Sequence, residues 1–206
     1  MRKIAIIGAS GHGKVIADIA KKTGYESIIF FDDDKTITEC SSYRVLGKTM
    51  DALKFDGELF VGIGNPSIRK RIFDIIPVGK LATLIHPAAI VASDVIIEKG
   101  SVVMAGAVIN SGAKIGKGCI INTSSSVDHD CIIGDFVHVA VGAHLCGSVI
   151  IGDETWIGAG TIVSNNVNIC SNCMIGSGTV VVKNIDVAGT YIGVPARVLK
   201  KKGVQK

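Results

Sequence analysis

From Ile85 to Val181 every sixth residue is aliphatic: Ile85, Val91, Ile97, Val103, Ile109, Ile115, Ile121, Val127, Ile133, Val139, Leu145, Ile151, Ile157, Val163, Ile169, Ile175 and Val181. Four residues after each stands a second set, mostly small, including Ala107, Ala113, Cys119, Ser125, Cys131, Ala143, Thr155, Thr161, Cys173 and Thr179. Glycine often follows the aliphatic residue, as at Gly116, Gly134, Gly152, Gly158 and Gly176, where unusual backbone angles at turns are expected. A helix repeats at 3.6 residues and a half-buried strand at two, so a period of six fits neither. It fits a coil of three short strands, each sending one aliphatic side chain inward while small residues fill the corners. Three hexads make one turn, so the segment predicts five or six stacked coils at the usual strand spacing of about 4.8 Å. This is a parallel β-helix of hexapeptide type, and the period alone does not give its hand.

Residues 1–82 lack this period. "KIAII" reads as a buried strand, "GASGHG" as a glycine loop, and "KVIADIAKKTG" as a helix with Val15, Ile16 and Ile19 on its apolar face and a stop at Gly24. "SIIFFDDD" is a second strand and "GELFVGIG" a third. "NPSIRKRIFDII" is a helix capped by Asn65 with Pro66 in its first turn. Alternating strands and helices predict a small Rossmann-like α/β domain over 1–82, the β-helix over 83–195, and a basic tail over 196–206.

Composition narrows the class. Nearly half the chain is apolar, which excludes disorder, and few aromatics with many glycines suit an aliphatic, tightly turning fold. The net charge of +4 is concentrated in the tail, without the aromatic-interleaved basic face that nucleic acid requires. No apolar run reaches the ~18 residues of a membrane span, and the first apolar run is too short for a signal peptide. A cytoplasmic protein with six free thiols is expected. Cys170 and Cys173 form a lone C-x-x-C with no second pair to complete a zinc site.

Two stretches carry candidate chemistry. In "NTSSSVDHDCIIG", His129 lies between Asp128 and Asp130, while Val127 and Ile133 keep their inward places. The polar knot is therefore held on the outside of a prism, near a corner. In "GASGHG", Gly8, Gly11 and Gly13 follow a strand and open a helix, where backbone N–H groups can approach a phosphate. The spacing is not the dinucleotide G-x-G-x-x-G. Asp32 and Asp33 end the second strand, where an acid can meet a ribose or sugar.

Taken together, "GASGHG", "FDD", "IGN" with Arg69, "LIHPAA", "NTSSSVDHDC", "HVAVGAHLCG" and "IGVPARV" resemble, in order, the bacterial sugar acetyltransferases with a left-handed hexapeptide β-helix. The nearest subgroup holds UDP-4-amino-sugar N-acetyltransferases of the UDP-N-acetylbacillosamine type and sialic acid O-acetyltransferases. The resemblance implies acetyl-CoA as co-substrate, a UDP-amino-sugar acceptor, no metal, and a homotrimer with active sites between neighbouring prisms. It implies His129 as general base and Asp130 as the acid that raises its basicity, although relatives carry Glu there and the sequence leaves open which aspartate orients the ring. It places Asn122 near the active site and His138 against the acetyl group of acetyl-CoA. Gly147, Ala159 and Ser177 line the CoA groove. Ser10, Gly11 and His12 form the nucleotide-sugar loop, with Asp32, Asp33 and Gly64 completing the pocket. The chemistry suits these residues: a neutral imidazole titrating near 6.5 can take the proton as an amine attacks a thioester. Three other readings stay open: O-acetylation of a sialic acid, a trimeric zinc carbonic anhydrase using His129, His138 and His144, and a non-enzymatic nucleotide-sugar sensor.

Overall fold

The computed structural model describes residues 1–199. Strands β1 (Lys3–Ile7), β2 (Ser27–Phe31) and β3 (Glu58–Val61) form a parallel sheet in the order β2-β1-β3. Helix α1 (Gly11–Lys22) follows β1, and α2 (Pro66–Phe73) follows β3. Asn65 caps α2 by accepting a hydrogen bond from the Ile68 N–H at 3.0 Å. Helix α1 begins inside the glycine loop, and its buried face is Gly13, Ile16, Ala17, Ile19 and Ala20. Val15, expected on that face, is 43% exposed, because the period from Ile16 turns it outward. A hairpin (Glu39–Cys40 with Tyr43–Arg44) and a 3₁₀ turn (Thr49–Lys54), neither of which the hydrophobic pattern signals, fill the long connection after β2.

Seventeen two-residue strands follow, from Leu84–Ile85 to Val180–Val181, and their second residues are the aliphatic period. They stack in parallel into the three faces of a prism. The first face carries the strands at 84, 102, 120, 138, 156 and 174, the second those at 90, 108, 126, 144, 162 and 180, and the third those at 96, 114, 132, 150 and 168. From Val103 upward the inward residues are at most 2% exposed, and the small corner set is equally buried. Ile85, expected inside, is 40% exposed because it sits at the open lower end with no coil beneath it.

The corners correct one expectation. Positive φ recurs every six residues from Gly100 to Gly178, half of these positions being non-glycine, among them Ser124, Asp130 and Phe136. Gly116 and Gly158 are not in that set. A Cβ at Gly158 would meet the Ile175 carbonyl oxygen at 2.5 Å, so glycine there serves the close approach of the next coil rather than a backbone angle.

The α/β domain sits on the first face. Leu84, Val102 and Ile120 point outward there and are fully buried against Ile6, Ile16 and Phe60 of its core. Arg69 of α2 fastens the two parts together. Its guanidinium, 1% exposed, donates to the carbonyls of Ile63 and Gly64 in the domain (3.0 and 2.7 Å) and of Gly118 and Phe136 on the prism edge (2.7 and 2.6 Å). Burial pulls its pKa down to about 10, which leaves it charged at neutral pH. The chain ends its described part in Thr190–Ile192, added to the first face, and Arg197–Val198, which pairs back on it. The tail expected over 196–206 thus starts in this strand, and 200–206 lie outside the described residues. No described helix is long and apolar enough to cross a membrane.

Removing the Arg69 side chain would take the donor from four carbonyls, those of Gly118 and Phe136 in buried hydrogen bonds and those of Ile63 and Gly64 in part-buried ones. Arg69→Ala is expected to cost on the order of 3 kcal/mol, read as a lower urea midpoint for unfolding. An unchanged midpoint would show that the junction does not depend on it.

Candidate active site

His129 stands on the edge between the second and third faces, in the turn from Ser126–Val127 to Ile132–Ile133. Its side chain is 54% exposed. Asp130 occupies the left-handed region at φ 58°, which aspartate tolerates, and this turns its carboxylate back onto the ring. The Nδ1 of His129 lies 2.8 Å from Asp130 Oδ2. With the proton on Nδ1 donated to that carboxylate, Nε2 is left as a free acceptor. Asp128 instead braces the turn. Its Oδ1 accepts from the His129 backbone N–H at 2.8 Å and from Asn110 Nδ2 at 2.7 Å. The Asp130 hydrogen bond, then the Asp128 charge, raise the pKa of His129 above its ordinary 6.5. One coil up, Gly147 lies against the ring, and a Cβ there would stand 2.5 Å from Nε2.

A second polar cluster lies beneath the α/β domain. His138 points outward from the first face and is 4% exposed. Asn122 Nδ2 meets its Nε2 at 3.0 Å, and Asn122 Oδ1 accepts from the Thr123 N–H at 2.8 Å, so the amide nitrogen is the donor and the imidazole the acceptor. Trp156 packs on the ring with centroids 4.1 Å apart, and His12 of α1 faces it at 6.3 Å. Burial, then the Arg69 charge, bring His12 to about 4. The same two causes, with His12 third, bring His138 to about 3, so both rings are neutral at working pH. Two buried ring nitrogens, His12 Nε2 and His138 Nδ1, have no hydrogen-bond partner among the described residues.

The other expected residues distribute around these clusters. Ser10 and Gly11 open α1 and are exposed. Gly11 has nothing within 4 Å of a would-be Cβ, whereas one at Gly13 would strike the Gly8 carbonyl. Asp32 Oδ2 accepts from the Ala9 N–H at 2.7 Å, and Asp33 Oδ1 from the Thr49 N–H at 3.0 Å. Both acids thus brace the loops around a cleft of about 100 Å³ that Arg71 also lines. Ala159 and Ser177 are exposed on the edge between the first and second faces, one coil apart, in line with Thr123 and Val141. In one chain, His129 and Gly147 are therefore on one edge of the second face, and Asn122, Ala159 and Ser177 on the other. His144 lies on that face between them, so His129, His138 and His144 do not meet within a chain. Among the described residues no group of three or more His, Cys, Asp or Glu could hold a metal.

Asn110, Trp156 and Arg71 were not singled out from the sequence. Asn110 lies eighteen residues before Asp128 and Trp156 eighteen after His138, so the three-hexad spacing is a signal for both. Nothing in the pattern marks Arg71.

Residues 3–76 match the model of the PglD N-terminal domain, and 148–183 that of the bacterial transferase hexapeptide (six repeats). The acetyltransferase domain of PglB from Neisseria gonorrhoeae, also solved in complex with acetyl coenzyme A, is 39% identical with a TM-score of 0.90, covering 97% of this chain and 100% of that one. PerB from Caulobacter crescentus, solved in complex with CoA and GDP-perosamine, is 32% identical with a TM-score of 0.90, covering 97% of this chain and 98% of that one. A UDP-N-acetylbacillosamine N-acetyltransferase from Bacillus subtilis is 35% identical over 108 residues, 48% of this chain and 50% of the relative, so that match spans about half of each. With both halves of the architecture matched, the chain belongs to the bacterial sugar N-acetyltransferases that join a PglD-type N-terminal domain to a left-handed hexapeptide β-helix.

Proposed function

We propose that this chain transfers the acetyl group of acetyl-CoA to the 4-amine of a UDP-linked amino sugar in the cytoplasm, with His129 as general base. The observation that carries this reading is the His129–Asp130 pair: a ring held through Nδ1, with Nε2 free beside a glycine. The unprotonated amine attacks the thioester carbonyl while Nε2 takes its proton. The Gly147 N–H, which has no acceptor among the described residues, steadies the oxyanion. The C–S bond then breaks, and the imidazolium returns its proton to the departing CoA sulfur. His138 and Asn122 hold the acetyl end, and Ala159 and Ser177 line the groove for the rest of CoA. Ser10, Gly11 and His12, with Asp32, Asp33 and Gly64, receive the nucleotide sugar. General-base help of this kind is worth about 10²–10⁴-fold.

The two halves of this site sit on opposite edges of the second face, so the reading requires a second copy. Turning three second faces toward a common axis brings the His129 edge of one prism beside the Asn122–Ala159–Ser177 edge of the next. Turning the third faces inward would not. The second face also presents Ile90 (68% exposed) and Ile162 (42%) with Val108 and Val180, an apolar surface suited to a homotrimer.

Thiol release from acetyl-CoA across UDP-amino sugars, their GDP counterparts and sialic acids tests the reaction. Turnover with a UDP-4-amino sugar is expected, and turnover with sialic acid alone would replace this proposal by O-acetylation. His129→Ala should lose at least 10²-fold in kcat while still binding CoA, and near-normal rates would remove the ring from its role. Because the base form acts and the pKa is raised, kcat/KM should climb with pH through a value above 6.5. Asp130→Asn removes the main cause, so its acid limb should move to lower pH; an unmoved limb contradicts the pairing. Ile162→Asp should yield monomers by light scattering and abolish transfer, and an intact active trimer would exclude the second face as the interface.

A further inference from the structure

The C-x-x-C motif lies outside the acetyl-transfer site proposed above. The structure folds Cys170-Ser171-Asn172-Cys173 as a turn on the edge between the third and first faces, with Asn172 at φ 61°. A turn brings its first and fourth Cα atoms within about 7 Å, next to the ~4.4–6.8 Å that bridged cysteines span. The two sulfurs already lie 3.5 Å apart. Cys170 is half-buried and Cys173 only 2% exposed. The remaining cysteines are not paired in this way: Cys119 Sγ contacts the Gly134 carbonyl, Cys131 Sγ the Cys146 carbonyl, and Cys40 Sγ the Ser10 carbonyl.

We propose that Cys170 and Cys173 form a peroxide-reactive dithiol that closes to a disulfide within this turn, a modification site separate from the acetyl-transfer site. The oxidant is hydrogen peroxide. The Cys170 sulfur attacks one peroxide oxygen, the O–O bond breaks, and the departing hydroxide takes up the thiol proton as water, leaving Cys170 as a sulfenic acid. The Cys173 sulfur then attacks the Cys170 sulfur. The S–O bond breaks, and the hydroxyl leaves with the Cys173 proton as a second water. Two thiols lose two electrons, and one peroxide becomes two waters.

Access sets the order of these steps. Burial, then the hydrogen bond with Cys170, push the Cys173 thiol up to about 12, so it does not ionise on its own near neutral pH. Cys170 is the more exposed residue of the two, so it is the first to meet peroxide and Cys173 resolves it. Apart from Cys170, the hydrogen-bond partners of the Cys173 thiol are the Ser171 and Val187 carbonyls, both 3.9 Å from its sulfur, so closing the bridge gives up only weak S–H hydrogen bonds. Asn172 in this turn is exposed, and the turn lies on the edge opposite the second face, so the trimer proposed above does not cover it. The inference does not depend on the enzymatic reading.

The test is thiol mapping of the full chain after mild peroxide treatment, alkylation and proteolysis, read by mass spectrometry. The peptides holding Cys170 and Cys173 should lose two hydrogens and escape alkylation, and dithiothreitol should reverse both. The other four cysteines should remain alkylated. Cys170→Ser should abolish the loss, and Cys146→Ser should leave it intact. Sulfinic or sulfonic products at Cys170 without a bridge, or a bridge that forms to any other cysteine, would overturn the proposal.

Discussion

The stacking of each coil on the one before it is the interaction on which the whole molecule depends. Ile132 N–H donates to the Val149 carbonyl, Ile150 to Val167, and the ladder repeats along every face. Each two-residue strand makes too few bonds to stand alone. Its place is set by the coil below, the coil above and one inward aliphatic side chain. The cost of fixing each corner, including the left-handed conformation every six residues, is met by this repetition rather than by any local preference.

Because the column is rigid, side chains eighteen residues apart become vertical neighbours without further design. Gly147 backs His129, Asn110 holds Asp128, and Trp156 covers His138. The two polar clusters owe their contrasting electrostatics to where the column puts them. His129 is on an open edge with acids beside it, and its proton affinity rises. His138 is under a second domain near a buried guanidinium, and its proton affinity collapses. One scaffold thus carries a basic imidazole and a neutral one without any change in residue type.

The period of six made the column legible residue by residue, and the small set at Ala107, Cys131 or Thr161 was identifiable as core from spacing alone. Glycines such as Gly158 stand out in the sequence without showing why, since close approach and backbone angle leave the same mark there. Ile85 followed the period but not the burial, because a repeat does not announce where it ends. In the candidate site, the outward position of His129 followed from Val127 and Ile133, and the choice of Asp130 over Asp128 as its partner needed the turn geometry. The seating of the α/β domain was not legible at all. It rests on Leu84, Val102 and Ile120 packing against the core of that domain and on Arg69 meeting carbonyls from Ile63 to Phe136, contacts to a segment outside the period.

The eighteen-residue register also constrains how such a chain can change length. One inserted or deleted residue inside the column would rotate every later inward side chain out of phase. A whole extra circuit would instead leave each ladder intact and merely lengthen the prism by one layer. Descendants of this gene should therefore vary the height of the column in steps of a full coil, and confine smaller changes to corner loops. The distance from the histidine's ledge to the upper end is then a quantity that evolution can adjust only by whole storeys.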